Sequence, residues 1–307
     1  LPRAHVARGL LVFVFRLPAM LSHAKRARTR LPPALLAALV AVVLFAPGCR
    51  VLHWRNEVSL KQPSNHRDWI PGLDVLATAE FDGSEVTIHN IRNCHYLTEE
   101  DYVLDYYDKT FDLTKITSVD FIVVPFTEAP SLAHTMLSFG FQDRDYVVIS
   151  VEARLEKGET YTPVKGSMQE MELMYVIGDE RDLIELRTEH RDVDVYVYRA
   201  QVRPEEVRAM FVDMLKRANK LAKHPEFYDT ITNNCTTNIV DHINKLKPNL
   251  ITYSYQILLP GHSDRLAYDL GFLDRRVPFE ELKRRAHVNA RAHIFASRED
   301  FSQQIRQ

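Results

Sequence analysis

Cysteine is scarce in this chain, with three in 307 residues. Three cannot make a disulfide scaffold, so each needs its own explanation. Metal-ligand spacing is missing as well. There is no CxxC or HExxH pattern, and Cys94-His95 has no second half to complete a site. Neither a metal nor a cofactor is expected. No internal repeat is present, and no stretch reaches the ~20 apolar residues of a membrane-spanning helix. Acidic residues are absent from the first 48 positions, which carry seven basic ones. The formal net charge of −2 therefore hides a body of 32 Lys and Arg against 41 Asp and Glu, a balance of −9. An acidic body speaks against nucleic acid as a partner.

What is present is ordinary globular material, 46% hydrophobic and 26% charged, long enough for one large domain or two small ones. The N-terminal region has the layout of an export signal. The basic cluster Lys25, Arg26, Arg28 and Arg30 precedes the apolar run Ala34–Ala46, and Pro47-Gly48-Cys49 follows. Met20 to Cys49 has the length of a bacterial signal peptide, so translation is expected to start at Met20. Cys49 after Gly48 resembles a lipobox cysteine, although Ala46 and Pro47 fit that pattern imperfectly. Residues 1–49 are thus expected to be a signal. Membrane association would come through a lipid on Cys49 or through an uncleaved anchor. Arg50 after the cysteine, by resemblance to other lipoproteins, leaves the outer membrane as the default address on the periplasmic side of the envelope.

Residues 50–70 read as a polar tether, with Pro71-Gly72 at its end. Strands are expected at Val86–Arg92, Ser118–Phe126, Ala133–Phe141, Asp145–Arg154, Met171–Ile177, Asp182–Arg187 and Asp192–Arg199. Leu97–Lys115 reads as a short helix and loop. Pro204 opens a helix with Val207, Met210, Phe211, Met214, Leu215, Ala218 and Leu221 at helical spacing. A further helix begins at Cys235 and ends before Pro248, and another spans Pro278–Ala286. A main domain over 71–260 and a mildly basic C-terminal extension over 261–307 complete the division. Strands first and helices late predict an α+β fold, an antiparallel sheet packed against helices.

Chemistry is concentrated in Asn233-Asn-Cys-Thr-Thr-Asn238. Thr232, Asn233 or Asn234 can serve as N-cap, with Ile239, Ile243 and Leu246 on one helical face. Cys235 then sits in the first turn, where unpaired N–H groups and the helix dipole favour the thiolate. A buried small hydrophobe, or half of a disulfide with Cys94, is the inert alternative; the surroundings of Cys94 favour a lone thiol.

A nucleophilic cysteine needs a base and a group to orient that base. Of thirteen histidines, His134 stands out. Period-two alternation puts it with Met136 and Ser138 on the more polar face of its strand, and an antiparallel partner would bring Ser150 and Glu152 to the same face. Either could fix the imidazole tautomer. Glu152 could equally form an ion pair with Arg144 or Arg154.

Histidine on a strand, a polar residue on the next strand and cysteine at a helix start resembles a circularly permuted NlpC/P60 papain-like fold. The resemblance is closer to the N-terminal periplasmic domain family of the lipoprotein N-acyltransferase Lnb. It is carried by Ile88-His-Asn-Ile-Arg-Asn93, Tyr106-Tyr-Asp-Lys-Thr-Phe-Asp-Leu113, Ala133-His-Thr-Met-Leu-Ser-Phe139, Ile149-Ser-Val-Glu-Ala-Arg154, Glu180-Arg-Asp-Leu-Ile-Glu-Leu-Arg187 and Asn233–Asn238, over roughly Trp69 to Lys245. It implies a Cys235 nucleophile, a His134 base and an orienting Glu152, or less directly Ser150. Backbone N–H groups at the start of the Cys235 helix would hold the oxyanion. Asn234, Thr236, Tyr228 and Arg154 are candidate secondary residues. The implied function is acyl transfer or hydrolysis on an acyl-lipid, lipoprotein or peptide substrate. A peptidoglycan peptidase or amidase and a non-catalytic envelope binding module are the competing functions.

Overall fold

The computed structural model describes residues 61–307 other than Asp143. The export signal, Cys49 and the first half of the expected tether lie outside the described residues.

Among the described residues ten strands are formed: β1 (Thr78–Asp82), β2 (Glu85–Arg92), β3 (His95–Tyr96), β4 (Tyr102–Val103), β5 (Tyr106–Asp112), β6 (Ile116–Phe126), β7 (Ala129–Phe141), β8 (Asp145–Arg154), β9 (Glu172–Asp179) and β10 (Tyr196–Arg199). Eight of them make one sheet in the order β1-β2-β9-β8-β7-β6-β10, with β5 also paired to β2. The ladders are antiparallel except for a single parallel pairing of Arg92 with Gly178. The helices are α1 (Pro163–Gly166), α2 (Glu180–Glu185), α3 (Pro204–Lys223), α4 (Cys235–Leu246), α5 (Tyr255–Leu258), α6 (Ser263–Asp269), α7 (Phe279–Ala286), α8 (Asn289–Phe295) and α9 (Phe301–Gln304). This is the expected α+β architecture.

Both faces of the sheet are covered, which explains why the central strands carry apolar residues on both sides rather than alternating strictly. On one face Leu137, Phe139, Ile149 and Tyr175 pack against α3 and α4 through Phe211, Met214 and Ile239. On the other, Ile122, Met136, Val148 and Val176 pack against Leu183 and Ile184 of α2 and against Val288, Ala292, Phe301 and Ile305. Residues 261–307 thus complete the core of the described body. Arg306 fastens them: its guanidinium pairs with the buried carboxylates Asp120 and Glu180 and lies over the Tyr146 ring.

Three local expectations differ from the structure. Leu97–Lys115 was expected to hold a helix but contains β4 and β5. Tyr106–Asp112 pairs with β2 across a bulge at Ile88/Ile91, and Asn90 takes a positive φ there. Tertiary pairing overrides the weak local signal in this polar, aromatic stretch. Asp182–Arg187 is helical rather than extended. Asp179 caps α2 by accepting from Arg181 N–H, and Glu180 and Asp182 occupy the first turn. A short D-L-I-E-L-R run satisfies either period, and the cap decides. Finally, the described part of the expected tether is docked. Lys61 pairs with Glu156, Ser64 N–H and Arg67 bond the buried Glu172, and Trp69 is buried beneath the Arg154 guanidinium.

Candidate active site

The ladder between β7 and β8 runs from Phe141↔Asp145 only to Met136↔Ser150. Both strands continue beyond it. β7 stays with β6 back to Ala129, and β8 stays with β9 out to Arg154. In the same register His134 would face Glu152, but there the two strands have left one another. The side chains near this opening belong to the candidate constellation.

His134 Nε2 lies 2.7 Å from Ser150 Oγ and 3.2 Å from Glu152 Oε1. Ser150 donates to the same carboxylate oxygen at 2.6 Å. The imidazole and the Cys235 thiol are within electrostatic reach of one another, and each shifts the protonation of the other. Cys235 is only 4% exposed. Asn234 caps its helix: Oδ1 accepts from Thr237 N–H at 2.9 Å, while Thr237 Oγ1 accepts from Asn234 N–H at 2.8 Å. Asn234 Nδ2 donates to Thr230 O at 2.6 Å. Of the three N-cap candidates, Asn234 takes the position, and both ends of its side-chain amide are engaged. The first bond along the α4 backbone is Asn238 N–H to Asn234 O. The N–H groups of Cys235 and Thr236 are donors that the helix does not use.

The electrostatics follow from this arrangement. Burial would raise the Cys235 thiol, but the positive charge of His134, with smaller help from Thr135, brings it down from 9.0 to about 7. Burial would lower His134, but the charge of Glu152, followed by that of Cys235, raises it from 6.5 to about 9. Glu152, despite burial, is held well below the usual carboxylate range by His134 and then by Arg187. Each group therefore stabilises the charged form of the next, and the order of the two values favours a thiolate–imidazolium pair.

The remaining candidates take varied places. Thr236 Oγ1 is 3.1 Å from Thr135 Oγ1 and 3.9 Å from the Cys235 sulfur. Tyr228 is buried, and burial followed by the charge of Cys235 pushes its hydroxyl far above its ordinary value. Arg154 is not brought to the site. It donates to the carbonyls of Leu73 and Asp74 and to Asn65, anchoring the 61–74 segment, and makes no ion pair with Glu152. The carboxylate's arginine is Arg187, at 3.2 Å from Nη2 to Oε1. Sequence reasoning missed it because the stretch that carries it was taken for a strand. Cys94 and Cys235 are both free thiols, so no disulfide joins them. Burial, then Asp182, raises the Cys94 thiol to about 11, which makes it unreactive. No group of three or more potential metal ligands occurs among the described residues.

Beside α4 lies an almost wholly apolar groove of about 410 Å³, within the range of small-molecule sites. It runs between α3, α4 and the α5–α6 region. Thr236, Ile239 and Ile243 line it on the α4 side, and Leu246, Leu250 and Leu270 line it where side chains are partly exposed. The segment after α5 is held against the start of β7 at Gly261. A Cβ there would lie 2.0 Å from Pro130 O, so only glycine allows this approach.

No curated protein and no solved structure matches the chain closely enough to add to this picture. Among the described residues no helix is long and apolar enough to cross a membrane. The family model of the Lnb N-terminal periplasmic domain matches residues 102–261, a span that contains His134, Ser150, Glu152, Arg187 and Cys235. The chain belongs to the Lnb N-terminal periplasmic domain family and is a periplasmic protein of the cell envelope.

Proposed function

We propose that this protein is a cysteine-dependent acyltransferase or acyl hydrolase. The observation that carries the reading is the position of His134, bonded to Ser150, paired with Glu152 and within electrostatic reach of the Cys235 thiol. The Cys235 thiolate attacks the carbonyl carbon of an acyl ester. A C–S bond forms, and the oxyanion is taken up by the Cys235 and Thr236 N–H groups. Imidazolium His134 passes its proton to the leaving alkoxide as the C–O bond breaks, leaving an acyl-thioester. An amine or water then loses a proton to His134 and attacks the thioester, and the thiolate leaves. Glu152 and Ser150 hold the imidazole throughout, and Tyr228 borders the thiol. A permuted NlpC/P60 layout, with the histidine strand before the cysteine helix, is part of the same reading.

The apolar groove supports a long acyl chain over a peptide as the group carried. A peptide substrate calls for polar partners, and the groove lining offers almost none. Anchoring through Cys49 at the outer membrane, with phospholipid or lipoprotein as the acyl source, extends this proposal.

The test is to present vesicles of phospholipid with a labelled acyl chain and look for hydroxylamine-sensitive label on the Cys235 peptide. Label at Cys235, lost in Cys235→Ala and His134→Ala variants that keep the native circular dichroism spectrum, is expected. Label confined to Cys94, or label that persists in Cys235→Ala, overturns the reading.

A further inference from the structure

The geometry points to Arg187 as the positioning residue of the thiol centre: its guanidinium holds the Glu152 carboxylate against Ser150 and His134. This rests on the proposed roles of Cys235 and His134. The β7–β8 ladder ends before these residues, so backbone pairing does not set the Glu152 side chain relative to the imidazole. Something else has to. Glu152 Oε1 accepts from two donors, Ser150 Oγ at 2.6 Å and Arg187 Nη2 at 3.2 Å, and His134 Nε2 pairs with it at 3.2 Å.

Arg187 is itself fixed from behind. It is 4% exposed, and its Nη1 donates to Leu183 O at 2.8 Å. It stands in a π-helical turn, Leu186–His190, that continues α2. Such widened turns are uncommon and re-aim side chains, often at functional sites. A buried guanidinium is costly to desolvate unless a carboxylate meets it. The other charged groups nearby have their own partners. Arg92 forms a two-pronged pair with the buried Asp182, to which Tyr96 also donates, and Arg191 pairs with Glu99. Glu152 is left as the counter-ion of Arg187. Around Glu152 stand His134, Arg187 and Ser150, with Tyr228 within electrostatic reach. Around His134 stand Glu152 and Cys235.

Positioning and mere electrostatic proximity predict opposite signs. A cation near the imidazole opposes its protonation, so its removal alone would make His134 more basic. If Arg187 instead holds Glu152 in place, its removal lets the carboxylate turn away and makes His134 less basic.

The experiment follows the ring signals of ¹³C-labelled histidines against pH, with His134 assigned by its loss in His134→Gln. The wild-type midpoint is expected near 9. In Arg187→Met it should fall by about one pH unit or more, a tenfold change in protonation equilibrium. Arg187→Lys, which keeps the charge but not the planar fork, should restore it only in part. Signal dispersion in the same spectra reports folding. A folded Arg187→Met protein whose midpoint is unchanged or raised overturns the proposal, as does failure of both variants to fold. The underlying functional reading fails separately. It falls if wild-type His134 titrates near 6.5 and Cys235 alkylates like an ordinary thiol near 8.5, whatever Arg187 does.

Discussion

His134 and Glu152 face each other across the point where β7 and β8 cease to pair, with Nε2 3.2 Å from Oε1. An unbroken ladder would tie up the backbone between them and leave both side chains on one covered face. The imidazole is also within electrostatic reach of Cys235, although the helix carrying the cysteine packs on the opposite face of the sheet.

The pH dependence of the thiol follows from this contact. Reactivity should rise as pH passes about 7, where Cys235 ionises, and fall beyond about 9, where His134 loses its proton. The two limbs belong to the coupled pair rather than to single residues. Stability carries the same signs. The raised His134 value contributes stability that is fully present below 6.5 and lost as pH rises through about 9. The lowered Cys235 value contributes stability present above 9.0 and lost as pH falls through about 7. A pH profile of kcat/KM without a plateau between these limits would contradict the ion pair.

Ala209 lines the apolar groove on α3 and is only partly buried. Ala209→Trp should fill the groove with little effect on the fold. Turnover of long-chain acyl esters is expected to drop by about 10- to 200-fold relative to acetyl esters, the usual worth of apolar pocket contacts. Equal loss on short and long chains would remove the groove from substrate binding.

Asn234 closes the turn on which Cys235 sits. Asn234→Ala should cost about 1 kcal/mol of stability through the lost cap. It should also slow alkylation of Cys235, because the first turn loses its hold on Thr230 and Thr237. Denaturant midpoints together with alkylation rates at pH 7 separate the two effects.

Arg306 neutralises two carboxylates that are each 1% exposed, Asp120 and Glu180. Arg306→Ala leaves Glu180 with only the Ser138 hydroxyl and Asp120 with Arg199, and the loss of Glu180's cation should destabilise the protein by about 3–5 kcal/mol. A urea titration showing less than about 1 kcal/mol of change would mean that the Arg306 ion pairs do not fasten this segment.

Local patterns in the sequence were enough for several features. The spacing of Val207 to Leu221 specified α3, and polar capping residues before Ile239, Ile243 and Leu246 placed Cys235 in a first helical turn. Alternation placed His134, Ser150 and Glu152 on one face, since side chains two apart on a strand share a face whatever surrounds them. Each of these depends on neighbours within about a turn or a strand length. The Tyr106–Asp112 strand and the docking of residues 61–70 and 261–307 had no such decisive local signal. They arise from pairing and burial against residues far along the chain.

The sequence by itself determined a thiol at a capped helix start and a histidine that shares a strand face with a serine and a glutamate. Only the tertiary structure decided that β7 and β8 part beyond Met136 and Ser150, that Arg187 rather than Arg154 meets Glu152, and that an apolar groove opens beside α4. The reason is physical. Strand faces and helix caps are set by periodicity and nearby hydrogen bonds, whereas the end of a ladder, the partner of a buried charge and the shape of a cavity depend on how distant elements pack.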